Sequence, residues 1–231
     1  MRTVAVVLAG GSGQRFGTAL PKQLLPLGGK PLIEHSVAAF DKAPDVDACL
    51  VVMAPGHAAE VGDLLARGGY EKVTEVIEGG VTRADSTRRA IAALGDTDCN
   101  VLLHDAARPL VDQRIIADCV RALRTHGAVG VAVASSDTIV VVEDGVMTSM
   151  PHRDSLRRCQ TPQGFRLPVI RRAHELAVAD PAFAALPPTD DCGVVLRYLP
   201  DVRVAVVDGS ERNIKITYPG DLDVAELLLK R

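Results

Sequence analysis

The chain has 231 residues, 47% hydrophobic and 24% charged, enough for one large soluble domain with a substantial core. A net charge of −3 excludes a general attraction to nucleic acid or to an anionic membrane, so any bound anion must be held by local cations. No apolar run approaches the roughly 18 residues of a membrane span, and the N-terminal run ends at Gly10-Gly11 without a cleavage site, so no anchor or signal peptide is expected.

Apolar runs suited to strands alternate with helical patterns. Strands are expected at 3–9, 48–54, 73–77, 101–104, 128–134 and 203–207. Helices are expected at 31–43, 58–67, 83–94, 112–125, 167–179 and 219–230. Pro31 and Pro219 suit a first helical position, and Gly127 suits the residue that closes a helix. Unbroken apolar stretches such as VAVVLA require burial on both faces, which helices over a parallel sheet supply. The alternation predicts an α/β fold with an open, mostly parallel wound sheet flanked by helices. Residues 135–154, SSDTIVVVEDGVMTSMPHRD, break the rhythm and read as strand, Glu143-Asp144-Gly145 turn and strand. A hairpin has no place inside a wound sheet. It is expected to project as an arm whose valines and isoleucine suit a partner subunit, the alternative being a hairpin folded back on its own domain. Five scattered cysteines (Cys49, Cys99, Cys119, Cys159 and Cys192) without a CxxC pair predict reduced, mostly buried thiols in a cytoplasmic protein, not a metal or disulfide framework.

The first strand runs into LAGGSGQRFGTALPKQ, residues 8–23, which carries four glycines, Arg15 and Lys22 but no carboxylate. The P-loop pattern GxxxxGK[ST] is absent, and the dinucleotide pattern GxGxxG fails because Phe16 stands where the third glycine belongs. The second strand ends VVMAPG, without the carboxylate that would hold a ribose hydroxyl in a dehydrogenase. What remains is a glycine loop at the carboxyl end of a strand, where open α/β sheets bind ligands. Its N–H groups suit phosphate oxygens, Arg15 offers a planar fork, Lys22 offers a point charge, and Pro21 restrains the backbone before it. Two cations beside such a loop fit a triphosphate whose reacting phosphorus gains negative charge. A plain glycine turn with surface basics is the other reading.

The same run resembles the signature of nucleotidyltransferases that activate sugar and polyol phosphates, and its short spacing to Pro21-Lys22 resembles the cytidylyltransferase branch. EGGVTRADS at 78–86, HDAARPL at 104–110, DTI at 137–139, CQTPQGF at 159–165, TDD at 189–191 and NIKIT at 213–217 match in order. The chain is similar to the 2-C-methyl-D-erythritol 4-phosphate cytidylyltransferases. It also has features of the related ribitol-5-phosphate cytidylyltransferases: Leu8 where proline is usual, Val140 where lysine is common, and Cys192 after TDD. The matches run from residue 4 to about 228 and imply a single cytidylyltransferase domain over 1–231, with its β-arm at about 135–158.

That resemblance implies transfer of CMP from CTP to a small polyol phosphate, 2-C-methyl-D-erythritol 4-phosphate foremost, giving the CDP-polyol and pyrophosphate in the isoprenoid precursor route. It implies Mg²⁺ or another divalent cation, and a cytoplasmic homodimer joined through the arm, with no nucleic acid or membrane partner. Ala9, Gly10, Gly11, Ser12 and Gly13 would wrap the nucleotide phosphates, while Gly79, Gly80, Arg83 and Ser86 would read base and ribose, with Asp105 and Ala106 beside them. Arg15, Lys22, Arg153 and Lys215 would be the catalytic cations. Asp105 would hold the metal or the acceptor, its alternative role being a helix N-cap, and Arg108, Thr138, Arg153, Thr161 and Thr189 would meet the acceptor. Thr138 and Arg153 would do so in the neighbouring subunit's site. The acceptor's phosphate monoester, with a second pKa near 6, is largely a dianion at neutral pH and attacks the α-phosphorus without a catalytic triad. Ribitol phosphate is the alternative acceptor and a silent nucleotide-binding subunit the alternative function. The joint presence of Arg15, Lys22, Asp105, Arg153 and Lys215 argues against the latter.

Overall fold

The computed structural model describes residues 1–11, 16, 21–183, 185 and 187–230. Strand β1 (Arg2–Ala9) leads into a minor two-stranded piece, β2 (Pro26–Leu27) and β3 (Lys30–Pro31), and then helix α1 (Leu32–Asp41). The chain continues through β4 (Ala48–Met53), α2 (Ala58–Gly68), β5 (Val73–Glu78), α3 (Arg83–Ala93), β6 (Cys99–Asp105), α4 (Gln113–Ala122) and β7 (Ala128–Ala134). After the arm strands β8 (Val141–Glu143) and β9 (Val146–Ser149) come β10 (Arg157–Arg166), α5 (Leu167–Ala179), α6 (Asp191–Tyr198), β11 (Val204–Asp208) and α7 (Gly220–Leu229).

Seven strands form one sheet in the order β11-β7-β10-β6-β1-β4-β5. All neighbours are parallel except β10, which runs antiparallel to both β6 and β7. β1 is buried from Thr3 to Ala9 because α-helical layers cover both its faces. One core gathers Ile33, Val37, Phe40, Ile115 and Ile116 against one face of the sheet, and a second gathers Ile91, Phe165, Leu167 and Ile170 on the other. Each fully buried branched side chain contributes about 1.5–3 kcal/mol relative to an exposed one.

Register decides where the site can lie. Ala9 pairs with Met53, Met53 with Glu78, and Leu8 with Asp105, so the carboxyl ends of β1, β4, β5 and β6 share one edge. The loops carrying Gly10-Gly11, Gly79-Gly80 and Ala106 therefore leave the sheet side by side. Because β10 is antiparallel, its beginning, Cys159–Thr161, reaches the same edge, and so does the segment after β11 that carries Lys215.

The open, mostly parallel sheet is as the alternation predicts, and Asp144-Gly145 forms the expected hairpin turn, both residues at positive φ (50° and 79°). Three local readings need correction. Gly127 does not close α4: that helix ends at Ala122 with Leu123 as its cap, and Gly127 instead accepts the Arg166 amide through its carbonyl. Pro31 and Pro219 stand one residue earlier than expected, as N-caps of α1 and α7. Strand β10 and helix α6 were not anticipated; after the exposed Cys159, QTPQGF is buried throughout without alternation, its pairing with β7 interrupted by a register shift between Gln160 and Gly164. Cys49, Cys99, Cys119 and Cys192 are buried free thiols, and Cys159 is free and exposed.

Candidate active site

At the shared edge lies a cleft of about 360 Å³ lined by Leu8, Gly10, Gly11, Lys22, Gln23, Val81, Thr82, Arg83, Ser86, Asp105, Ala107 and Lys215. Asp105 is its one carboxylate among these residues. Its Oδ2 accepts from Lys215 Nζ at 2.7 Å and its Oδ1 from Arg83 Nε at 3.2 Å. Burial by itself would push the Asp105 carboxyl up, but Arg83 and Lys215 outweigh it and hold the group well below the usual carboxylate range. Asp105 is thus ionised at neutral pH. It is not a helix N-cap, since the next helix is capped by Asp112, whose carboxylate accepts the Ile115 amide.

Each charged group is set by its neighbours. Lys22 lies in a single 3-10 turn, Lys22–Leu24, and its Nζ donates to the Ile216 carbonyl at 2.9 Å, which brings it next to Lys215 in the chain. The segment carrying Lys215 is tied down by Ile216 N–H to the Ala107 carbonyl (2.8 Å) and by the Asn213 side-chain amide to the Thr161 carbonyl (2.9 Å). Gln160 adds a bond from its amide to the Ser210 carbonyl at 2.8 Å. Arg83 opens α3, where a capping box joins Thr82 and Asp85: Asp85 N–H donates to Thr82 Oγ1 and Thr82 N–H to the Asp85 carboxylate. A cation at a helix N-terminus is disfavoured by the helix dipole. Two carboxylates offset this: Asp105, and Asp191, which accepts from Arg83 Nη1 at 2.5 Å.

The glycines answer to close approach. A Cβ on Gly10 would lie 2.9 Å from Ser86 Oγ, and one on Gly79 would lie 2.7 Å from the same atom. A Cβ on Gly80 would collide with the Asp85 side chain. Ser86 is buried beneath the loops, accepting the Gly80 amide and donating to the Thr82 carbonyl. Its hydroxyl therefore shapes the loop from inside.

Of the residues singled out in the sequence, the fold brings Gly10, Gly11, Lys22, Arg83, Ser86, Asp105 and Lys215 to the cleft wall, with Gly79 and Gly80 packed behind it. Ala9 and Ala106 are buried, and the Ala106 amide is committed to the Leu8 carbonyl. Ser12, Gly13 and Arg15 lie outside the described residues. Thr161 has a buried hydroxyl that accepts the Asp105 amide (3.1 Å) and donates to His104 Nδ1 (3.0 Å), the imidazole's Nε2 donating to the Arg108 carbonyl. Arg108 likewise spends two of its nitrogens on carbonyls, of Asn213 and Cys159. Thr138, Arg153 and Thr189 are exposed and do not line the cleft of their own chain.

The model of the family described as IspD, 2-C-methyl-D-erythritol 4-phosphate cytidylyltransferase, matches residues 3–231. The chain belongs to this family. A 2-C-methyl-D-erythritol 4-phosphate cytidylyltransferase of Thermobifida fusca is 54% identical, over 99% of this chain and 94% of its own length. The crystal structure of 4-diphosphocytidyl-2C-methyl-D-erythritol synthase from Anaerococcus prevotii superimposes with a TM-score of 0.86 at 27% identity, covering 100% of this chain and 96% of its own. A bifunctional ribulose 5-phosphate reductase/CDP-ribitol pyrophosphorylase of Haemophilus influenzae is 36% identical over 99% of this chain, which spans 48% of that protein. The protein is thus a cytidylyltransferase that moves CMP from CTP to 2-C-methyl-D-erythritol 4-phosphate in the isoprenoid route.

In this cytidylyltransferase the sequence reading missed a buried supporting set: His104, Gln160, Gln163, Asp191 and Asn213. Asp191 stood within the TDD motif, but only Thr189 was drawn from it. Gln160 and Gln163 flank the Thr161-Pro162 pair of CQTPQGF, and two glutamines in a strand within two residues of a turn-prone proline were the available signal. Among the described residues no three His, Cys, Asp or Glu side chains converge as a metal cage.

Proposed function

We propose that the cleft at the carboxyl edge is where the transfer takes place, with the triphosphate of CTP over Gly10-Gly11 and among Lys22, Arg83 and Lys215. The observation that carries this reading is the charge balance: among the described residues three cations and a single carboxylate line the cleft, and that carboxylate is already neutralised by Arg83 and Lys215. Among these described residues an incoming triphosphate meets fixed positive charge and no unpaired carboxylate. The acceptor's phosphate dianion attacks the α-phosphorus in line, pyrophosphate leaves, and Lys22 and Lys215 offset the charge that grows on the phosphoryl oxygens. Pre-positioned donors act without reorganising during the reaction.

The donor set fits Mg²⁺ as an ion shared with the triphosphate, not as a resident of a protein cage. Among the described residues one carboxylate, Asp105, faces the cleft, and a single carboxylate plus substrate phosphates is a common way to hold this ion. When bound, Mg²⁺ would neutralise phosphate charge.

We further infer a cytoplasmic homodimer. The arm exposes Val142, Val146, Met147 and Met150, each more than half accessible, which is costly for a lone chain and apt for a partner. Arg153 sits in the single turn Arg153–Ser155 at the foot of this arm, supporting its delivery, with Thr138, to the partner's acceptor. No described helix is long and apolar enough to cross a membrane.

The test is kinetic. Lys22→Ala and Lys215→Ala should each lower kcat by on the order of 10²–10³ in a pyrophosphate-release assay, with CTP affinity changed far less. Unchanged kcat in both variants would remove the cleft from the chemistry.

A further inference from the structure

Behind the cleft a line of buried polar contacts runs away from the substrates. Asp191 is 1% exposed and opens α6, where its carboxylate suits the positive end of the helix dipole. Gln163 fixes it there, its Oε1 accepting the amides of both Asp191 and Cys192 at 3.1 Å. Oδ2 of Asp191 takes Arg83 Nη1, and Oδ1 takes His174 Nε2 at 3.1 Å. His174 belongs to α5 and is 2% exposed, well away from the cleft wall. Arg83 has only one nitrogen left: Nε is on Asp105, Nη1 is on Asp191, and Nη2 is buried without a partner.

We propose that His174 is a positioning residue for the nucleotide site, acting through Asp191 to set the plane of the Arg83 guanidinium. The physical reason lies in the two oxygens of Asp191. A carboxylate facing an arginine fork prefers to grip it with both oxygens. With Oδ1 held by His174, only Oδ2 remains for Arg83, so a second Arg83 nitrogen stays available to hold Asp105 and the third stays turned to neither carboxylate. Remove the imidazole and Oδ1 becomes a buried acceptor without a donor, which costs free energy unless it is satisfied. The nearest cation is Arg83, and a bidentate grip would rotate its fork off Asp105 and away from the nucleotide. The histidine thus acts at one remove, as an outer partner orients a ligand-binding group.

This inference rests on Arg83 serving CTP, so the experiment is a double-mutant cycle that separates the two ideas. CTP affinity is measured by titration calorimetry on the full chain with Mg²⁺, for His174→Leu, Arg83→Ala and the double variant. His174→Leu should weaken CTP about tenfold, Arg83→Ala should weaken it at least as much, and the double variant should be no weaker than Arg83→Ala. His174→Gln, whose amide nitrogen can stand where Nε2 does, should restore most of the affinity. If the leucine variant does not fold, His174→Asn, polar but too short to reach Asp191, takes its place in the cycle. Losses that add in full would overturn the proposal and leave His174 as packing alone. Normal CTP affinity in Arg83→Ala would overturn the role of Arg83 and this inference with it.

Discussion

Strand β1 and the β8–β9 arm draw on the same residues and meet opposite environments. RTVAVVLA is buried along seven of its eight positions, while every residue of VVE and VMTS is exposed. Valine does not choose between these outcomes. β1 lies between two parallel neighbours with helices on both faces, whereas the arm pairs only with itself and is closed at its base by the Ser135 amide on the Leu156 carbonyl. An apolar strand is buried when the rest of the chain can reach it. An arm that leaves the sheet after β7 is out of that reach, and its apolar surface stays uncovered by its own chain.

The sharpest way to break this comparison is to make the arm necessary to another subunit. Lys22→Ala and Arg153→Ala should each be inactive alone. Mixed dimers would hold one site with both defects and one with neither, so coexpression should restore up to about one quarter of wild-type activity if subunits mix randomly. No recovery in confirmed mixed dimers would return Arg153 to its own chain.

A smaller effect separates the two strands by stability. Val7→Ala should cost about 1–3 kcal/mol by chemical denaturation, as cavity-forming core changes do. Val142→Ala should stay within about 0.5 kcal/mol for the monomer, while shifting the monomer–dimer equilibrium seen by sedimentation. An equal loss from both would mean that the arm packs on its own domain.

The smallest effect is a pH dependence confined to the sheet side. His104 lies next to the end of the buried strand β6, against the Phe40 ring, and burial pushes its pKa down to about 4. The unfolded chain takes up this proton near the ordinary value of 6.5, before the folded one does. Stability from this group is therefore present above pH 6.5 and is lost as pH falls toward 4. Between pH 7 and 5.5 the loss should be about 1 kcal/mol. His104→Gln should flatten the fall of melting temperature over that window. An unchanged slope would show that His104 protonates in the folded state as readily as in the unfolded one.

The sequence by itself determined the alternation of strand and helix and the glycine loop after β1, because these depend on residue type and on neighbours near in the chain. VAVVLA demanded two covered faces whatever followed it, and Asp144-Gly145 fitted a tight hairpin on backbone grounds alone. The tertiary structure decided what depends on distant partners. Only strand register set Asp105 beside Leu8, and only the antiparallel entry of β10 brought Thr161 under Asp105 and Gln163 to the start of α6. Lys215 lies 110 residues from the carboxylate it neutralises, and Arg83 lies 108 from Asp191. No periodicity encodes such pairings, since hydrogen bonds and ion pairs depend on separation in space and on burial, and both exist only once the sheet has closed its order.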